Sequence, residues 1–306
     1  MQMNRSRYLW LAAILIALAV IAEVTLRLKW GFGQMVLFDE DPGYEYIARP
    51  NQNRMRFGNT IVYNEYSMRS DPLLASDSCV ILGFGDSVVN GGTLSDQDSL
   101  ATTMVEREFG KHVRFLNVSA GSWGPDNCAA FLKKHGHFNA KLIVLFVSSH
   151  DAHDNMEFEK TVGVHESYPD AQYPLAIIEV IDKYIIPILR EKLSHNSTTD
   201  NLMINKGGET FNSGFAYFYG YTQQHHIPLI IFHHAELAEV QKGEFNEQGK
   251  EIVAFCEAHN IPYISGLQIG ETASDFRDEI HINDQGQKRW ARFLLKDVKD
   301  YVKQCL

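Results

Sequence analysis

Five short apolar segments, separated by stretches of helical periodicity, begin at residue 79, and this alternation constrains the fold most strongly. Strands that alternate with helices are typical of a parallel sheet whose two faces are covered by helices. We therefore expect an α/β fold, a three-layer α/β/α sandwich with a five-stranded parallel sheet. The predicted strands span residues 79–82, 113–118, 142–147, 229–232 and 262–264.

Helical segments between and after these strands complete the pattern. One amphipathic helix is predicted over residues 100–109 and a last one over residues 290–302, with Asn283 or Asp284 as its N-cap. About 80 residues separate the third and fourth predicted strands, which is far more than a single crossover helix needs. We expect a helical insertion over residues 156–226. It either forms a lid over the site or packs against the sheet without covering the site.

The N-terminal residues 1–30 have the character of a membrane segment. Arg5 and Arg7 precede fifteen residues without charge, 8–22. Basic residues before an apolar segment place its start in the cytoplasm and send the remainder across the membrane. We favour a transmembrane anchor because apolar residues continue to Leu28, with a removable signal peptide as the alternative. Either case predicts an extracytoplasmic catalytic domain.

Residues 31–78 are rich in glycine, proline, asparagine and aromatic residues. A short alternating run over residues 60–63, flanked by turn residues, predicts a small hairpin rather than an independent domain. We expect this lead-in to pack on the main body and the catalytic domain to span residues 79–306.

The acidic balance of the chain argues against one class of partner. The 306 residues contain 28 Lys and Arg against 38 Asp and Glu, a net charge of −10. Nucleic-acid affinity depends on neutralising phosphates with basic side chains. We therefore expect no nucleic-acid partner.

The cysteines show neither a C-x-x-C pair nor the spacing of zinc ligands. Cys79 falls in a predicted strand and Cys256 on the apolar side of a predicted helix. We expect buried free thiols rather than disulfides.

A serine follows the first predicted strand on a glycine-rich turn. Ser87 stands in Gly85-Asp86-Ser87. Ligands gather at the carboxyl ends of strands in open α/β sheets, so Ser87 is expected to project into that crevice, where backbone N–H groups can stabilise an oxyanion. Alone, the tripeptide is more typical of a structural turn. Val88 replaces the third glycine of a dinucleotide fingerprint, which argues against a nucleotide cofactor.

Asp278 and His281 form the second chemical motif, just before the last predicted helix. Their spacing lets Asp278 accept a hydrogen bond from the imidazole. That bond would hold one tautomer and stabilise the imidazolium that forms as Ser87 attacks. Glu279 is the competing acid. Taken singly, a histidine before a helix is more often a cap or a surface residue.

Together, the two motifs resemble those of the SGNH, or GDSL-type, hydrolases, and the resemblance covers residues 79–303. That family pairs a serine in Gly-Asp-Ser with a late Asp-x-x-His, here Ser87, Asp278 and His281. The resemblance implies a flavodoxin-like fold, an acyl-serine intermediate and hydrolysis of carboxylic esters. It also implies that a glycine N–H after the second strand lines the oxyanion hole, the position of Gly121.

The third block departs from the family pattern. His150 stands where the family has an asparagine that donates to the oxyanion. An imidazole N–H can donate the same hydrogen bond. We therefore expect an oxyanion hole formed by Ser87, Gly121 and His150, with Asn155 a less suitable substitute.

The same loop also permits a metal interpretation. His150, Asp151, His153 and Asp154 are metal-ligating residue types at the end of a strand. Ligands so closely spaced on one loop are poorly arranged without others from elsewhere. We expect no metal, and a metallohydrolase remains an alternative.

Three residues near the predicted cleft are candidate substrate contacts. The indole of Trp123 suits stacking on a sugar ring, although packing against a helix fits equally well. Asn90 follows the serine turn, and His233 closes the fourth strand, where ordinary sheet-edge polarity is the alternative.

The function expected from these residues and from the resemblance is a serine esterase. Its substrates would be O-acyl groups, above all O-acetyl groups, of an extracytoplasmic carbohydrate, or small esters. Three alternatives remain. An acyltransferase with the same triad would transfer its acyl group to sugar faster than to water, and a carbohydrate-binding module would not react with a fluorophosphonate. A metallohydrolase would lose activity to a chelator and survive Ser87→Ala.

Overall fold

The computed structural model describes residues 5–110, 113–193, 204 and 206–305. Its first element is the helix α1 (Arg5–Thr25), which one π-helical turn extends over Leu26–Trp30. The 26 residues of this continuous helix are long and apolar enough to cross a membrane, and none of its most apolar window is buried in the protein. The expected N-terminal apolar segment is therefore present as one helix.

Two antiparallel hairpins follow α1, where the sequence predicted one. Strand β1 (Phe38–Asp41) pairs with β2 (Glu45–Ala48), and β3 (Gln52–Arg56) pairs with β4 (Asn59–Tyr63). Tyr46 of β2 is 1% exposed and packs in the hydrophobic cluster on one face of the central sheet. The hairpins are thus part of the packed body.

A five-stranded sheet lies at the centre of the fold. Its strand order is β6-β5-β7-β8-β9, and all four pairings are parallel. Numbered from the first strand of this sheet, the order is 2-1-3-4-5, the flavodoxin-like arrangement. The strands are β5 (Val80–Gly85), β6 (Arg114–Ser119), β7 (Ala140–Val147), β8 (Leu229–His233) and β9 (Tyr263–Ser265).

The apolar runs form strands because both faces of the sheet are covered. Every residue of β5 is buried, which explains the continuous apolar sequence rather than strict alternation. Ile81 packs in the cluster with Trp290, whereas its neighbour Leu82 packs in the cluster with Phe131. The helices are α2 (Ser87–Asn90), α3 (Ala101–Phe109), α4 (Pro125–His135), α5 (Ala176–Val180), α6 (Ile186–Leu193), α7 (Ser213–His225), α8 (Leu237–Lys242), α9 (Glu247–His259) and α10 (Asp284–Val302).

The expected helical insertion divides into two parts. Helix α7 leads into β8 and belongs to the core, because Phe215 and Phe218 are fully buried. Helices α5 and α6 are joined by a π-helical turn, Ile181–Ile185, into one continuous helix. That helix packs beside the end of α1, where Glu179 accepts a hydrogen bond from the backbone N–H of Gly33.

The cysteines only partly follow the sequence prediction. Cys79 and Cys305 form a disulfide across 226 residues, so the expectation of a free thiol at Cys79 is wrong. The reason is tertiary: α10 returns to the start of β5 and brings the C-terminal cysteine against it. Cys128 and Cys256 are buried free thiols, as expected.

Candidate active site

The carboxyl ends of three strands bring the predicted site residues to one edge of the sheet. Strand β5 lies between β6 and β7, so the chain departs to opposite sides of β5 and a crevice opens at its end. Ser87 follows β5, Gly121 follows β6, and His150 follows β7. The topology therefore supplies the meeting point that the motifs require.

Local capping fixes the turn that carries Ser87. The Asp86 carboxylate caps α2 by accepting the Val88 N–H at 2.8 Å. Gly91 ends this helix at φ 75°, a conformation that side-chain-bearing residues rarely adopt. A Cβ at Gly91 would also lie only 2.5 Å from the side chain of Leu100. The serine thus lies on a short, doubly constrained turn.

A serine–histidine–aspartate chain of hydrogen bonds crosses the crevice. Ser87 Oγ lies 2.9 Å from His281 Nε2, and His281 Nδ1 lies 2.8 Å from Asp278 Oδ2. The side chains of His281 and Asp278 are 21% and 48% exposed, so a small molecule can approach them. This is the arrangement of nucleophilic acyl transfer, in which an acid orients the base.

Asp278 is held as a carboxylate by its own loop. Its Oδ1 accepts the backbone N–H groups of Ile280 at 2.9 Å and His281 at 2.6 Å. Burial raises the pKa of Asp278, but these hydrogen bonds and the charge of His281 outweigh it, and the pKa lies below its ordinary value. An ionised Asp278 accepts the Nδ1–H of His281, which leaves Nε2 free to take a proton from Ser87.

Two further hydrogen bonds join the C-terminal segment to the serine turn. Arg277 Nη2 donates to the Gly91 carbonyl at 3.1 Å. Gln287, fully buried in α10, donates through Nε2 to the Val88 carbonyl at 3.1 Å. The meeting of these distant segments therefore does not depend on the triad alone.

Two backbone amides that follow β5 and β6 are the candidate oxyanion donors. Within the described ranges 5–110, 113–193 and 206–305, no group accepts a hydrogen bond from the N–H of Ser87 or Gly121. The hydroxyl of Tyr168 lies against Gly121, where a Cβ would come within 2.7 Å of it. Tyr46 donates to the Gly121 carbonyl at 3.0 Å and anchors the next peptide of this turn. Both amides are available to a developing oxyanion.

His150 offers a third donor at this edge. Its Nδ1 lies 3.0 Å from Glu236 Oε1, and its Nε2 lies 3.9 Å from Asp86 Oδ2, too far for a hydrogen bond. Burial lowers the pKa of His150, but the bond to Glu236 and nearby carboxylate charge outweigh it and raise the pKa to about 10. The ring is therefore an imidazolium at neutral pH. Asn155 donates instead to two backbone carbonyls.

Two residues of the metal interpretation, His150 and Asp151, lie beside Asp86. Asp86, His150 and Asp151 place one potential ligand atom each within 4.8 Å of one another. His150 Nδ1 is already hydrogen-bonded to Glu236, and Asp151 Oδ2 accepts the Ser148 N–H at 2.7 Å, so a cation would compete with these bonds. His153 turns to Glu251, with Nε2 at 3.1 Å from Oε2.

Two candidate substrate contacts are wrong because the structure uses them as internal supports. Trp123 is 1% exposed, and its indole N–H donates to the Tyr46 carbonyl at 2.9 Å. No ring face is left for a sugar. Asn90 is 5% exposed and donates to the Ser119 carbonyl at 3.0 Å, so it joins the end of α2 to the end of β6.

The third candidate, His233, is also wrong, because the ring is fully buried. Its Nε2 lies 3.0 Å from Ser149 Oγ and its Nδ1 lies 2.7 Å from Tyr263 Oη. Phe245 stacks on the ring at a centroid distance of 4.0 Å. Burial, followed by neighbouring histidine charge, lowers the pKa of His233 to about 3, so the imidazole stays neutral.

Sequence reasoning missed Glu236, which pairs with His150. Its position contains a signal: Glu236 comes three residues after the end of β8, at the same edge of the sheet as the other site residues. A backbone hydrogen bond also links the next residue to the loop that carries Asp278 and His281, since the Leu237 N–H donates to the Glu279 carbonyl at 3.0 Å.

Comparison with solved structures gives esterases of low sequence identity. A carbohydrate acetylesterase family member from Sinorhizobium meliloti is 13% identical, with a TM-score of 0.40 over 73% of this chain and 99% of that one. TesA is 12% identical, with a TM-score of 0.41 over 74% and 99%. An aryl esterase from M. smegmatis is 12% identical, with a TM-score of 0.40 over 72% and 99%.

The resemblance concerns the fold. No protein-family model and no curated protein sequence matches the chain.

Proposed function

We propose that the protein is a serine esterase in which Ser87 is the nucleophile, His281 the general base and Asp278 its orienting acid. The observation that carries this proposal is the pair of hydrogen bonds at 2.9 Å and 2.8 Å that connects the three side chains. The geometry meets the requirement that nucleophile and base lie within hydrogen-bond reach while a third group fixes the base.

The reaction follows from these positions. Ser87 Oγ attacks the ester carbonyl carbon as its proton passes to His281 Nε2, and a tetrahedral oxyanion forms. The imidazolium then gives that proton to the departing alkoxide, so the alcohol leaves and the acyl group stays on Ser87. Water, deprotonated by His281, attacks the acyl-serine, and collapse of the second intermediate releases the acid and restores Ser87.

The oxyanion would be stabilised by the N–H groups of Ser87 and Gly121 and by the Nε2–H of His150. A cationic donor is a charge-assisted one, roughly twice as strong as a neutral donor. His150 therefore replaces the family asparagine with a donor whose strength depends on its protonation state.

For substrate, we propose an O-acyl group, specifically an O-acetyl group, on an extracytoplasmic carbohydrate, by the family resemblance. The burial of Trp123 removes the sugar-stacking platform that the sequence had offered, so recognition of a sugar would depend on other groups at the crevice. The same acyl-serine could pass its acyl group to a hydroxyl acceptor, and competition between water and added sugar separates hydrolysis from transfer.

We further propose that α1 is a retained anchor and that the catalytic domain is extracytoplasmic. Two observations support this placement. The helix is apolar over the length of a span, and Cys79 and Cys305 form a disulfide, a bond typical of oxidising compartments outside the cytoplasm.

A fluorophosphonate probe and p-nitrophenyl acetate test the esterase directly. The full chain in detergent should be labelled at Ser87, and Ser87→Ala and His281→Ala should each lose both labelling and measurable turnover. Added chelator should leave the rate unchanged. Labelling and turnover that survive in both variants would refute the triad.

A further inference from the structure

The helix of residues 176–193 carries an apolar surface that the rest of the protein leaves uncovered. Six aliphatic side chains on it, or directly before it, are each 41–51% exposed. An uncovered apolar patch of this kind is typical of an interaction surface rather than of a solvated helix. These residues, called here the apolar stripe, are Leu175, Ile178, Ile181, Ile185, Ile188 and Leu189.

The apolar stripe begins at the last turns of α1. The Glu23 carboxylate accepts the backbone N–H groups of Ala176 at 2.8 Å and Ile177 at 3.0 Å, so a residue of α1 caps the second helix. Arg27 donates through Nη2 to the Pro174 carbonyl at 3.0 Å. The start of the stripe therefore lies at the level where the apolar part of α1 ends.

The junction between α1 and the body is a fixed structure. Arg56 donates to the Gly31 carbonyl at 2.9 Å and, through its other terminal nitrogen, to Glu179 at 2.7 Å. The Arg56 and Glu179 side chains are only 6% and 0% exposed. This buried ion pair also bonds the backbone that follows α1, so it holds α1 at a fixed angle to the rest of the protein.

We infer that the apolar stripe lies in the interfacial region of the bilayer, beside the point where α1 leaves the membrane. We assign the bilayer as the occupant because the stripe begins beside the last turns of α1, whose mean hydropathy is 2.5 over its most apolar window and whose window is not buried in the protein. Trp30, 37% exposed at the end of the π-helical turn that extends α1, is the residue type enriched at membrane interfaces. Interfacial helices bury their apolar face at the boundary of headgroups and acyl chains.

The inference depends on α1 as a retained span and is independent of the esterase activity. Its consequence is a two-point attachment. One helix crosses the bilayer and the other lies at its surface, so the catalytic domain has a defined orientation instead of turning freely on a tether.

Site-specific fluorescence tests the inference on the full chain reconstituted in phosphatidylcholine vesicles. The Ile178→Cys and Ile185→Cys variants are each labelled with an NBD dye, which should spare the native free cysteines because they are buried. Reductant is omitted so that the disulfide stays intact. Glu247→Cys, on an exposed side chain of α9, is the matched control. Circular dichroism checks that each labelled chain keeps its fold, and doxyl-labelled lipids serve as the quencher.

At positions 178 and 185 we expect a blue-shifted emission and quenching by doxyl groups near the headgroups. The control at position 247 should show neither. A blue shift that doxyl lipids do not quench would mean that protein, for instance a second copy of the chain, covers the stripe, and it would overturn the inference. Water-like emission at both positions would overturn it as well. A chain that fails to float with the vesicles would refute the anchor on which the inference rests.

Discussion

The described part of the chain contains two serine–histidine side-chain pairs of nearly the same geometry. Ser87 Oγ lies 2.9 Å from His281 Nε2, and Ser149 Oγ lies 3.0 Å from His233 Nε2. In both pairs the opposite ring nitrogen also has an oxygen partner, a carboxylate in the first and the Tyr263 hydroxyl in the second. The pairs differ in their surroundings rather than in their distances.

The difference shows what a nucleophilic serine requires beyond a hydrogen bond to histidine. Ser149 and His233 are 0% exposed, so no ester can reach them. A neutral tyrosine stabilises an imidazolium far less than an ionised carboxylate does, and the lowered pKa of His233, about 3, opposes proton uptake. The exposed pair has an anion behind its base and free amides in front of its serine.

The largest expected effect separates the two serines. In a triad of this kind, loss of the nucleophile costs on the order of 10⁶ in kcat, so Ser87→Ala should abolish p-nitrophenyl acetate turnover. Ser149→Ala should retain it within a few-fold, because that serine lies outside the crevice. A Ser149→Ala variant as inactive as Ser87→Ala, yet normally folded by circular dichroism, would reverse the comparison.

The partners of the two histidines should differ in the same way in their effect on kcat. Asp278→Asn should lower kcat by about 10⁴, because an amide no longer stabilises the imidazolium or the required tautomer. Tyr263→Phe removes the corresponding partner of His233 and should leave kcat nearly unchanged. Steady-state kinetics on both purified variants measure this, and equal losses in the two would contradict the assignment of His281 as the base.

The predictability of the triad contrasts with that of its surroundings. Ser87 lies in a short string after a strand, and Asp278 and His281 lie in another before the last helix. Each string alone was ambiguous, and the family resemblance of the two together predicted that they meet. The burial of Trp123 and His233 depends on partners from distant elements, the Tyr46 carbonyl of β2 and the ring of Phe245. Sequence spacing contains no information on such contacts.

The disulfide and the His150 pair have the same explanation. Cys79 meets Cys305 because the end of α10 lies beside the first strand of the sheet, 226 residues away in sequence. Glu236 reaches His150 because β8 lies next to β7 in the sheet. No motif in the sequence predicts that these two strands are neighbours. The alternation of strands and helices, by contrast, was sufficient to predict all five strands of the parallel sheet.

A smaller, pH-dependent effect is expected at Glu236. His150, with a pKa of about 10, is cationic at neutral pH and loses its proton only as the pH rises through that value. The neutral ring would keep Nδ1–H on Glu236 and turn the Nε2 lone pair toward the oxyanion, so activity should fall at strongly alkaline pH. Glu236→Gln removes the hydrogen-bonded anion among the three carboxylates that raise this pKa, and it should shift the alkaline fall of kcat/KM to lower pH.

The second histidine–glutamate pair of the same loop provides the control. His153 and Glu251 lie 3.1 Å apart outside the crevice, so Glu251→Gln makes the same chemical change without touching His150. Its pH profile should match that of the unmodified protein once the background rate with Ser87→Ala is subtracted. An alkaline limb that Glu236→Gln leaves in place would show that His150 does not donate to the oxyanion.

The smallest expected effect is on stability, where Ser149 should matter more than Ser87. Ser149→Ala would leave one nitrogen of the buried His233 ring without a partner, which costs about 1–3 kcal/mol. The packing is close there, since a Cβ on Gly249 would lie 2.3 Å from Ser149 Oγ. Ser87→Ala leaves its histidine in contact with water and should change the free energy of unfolding little. Thermal unfolding of the two variants should therefore rank them opposite to their activities, and a Ser87→Ala variant less stable than Ser149→Ala would show that the exposed pair has a structural role as well.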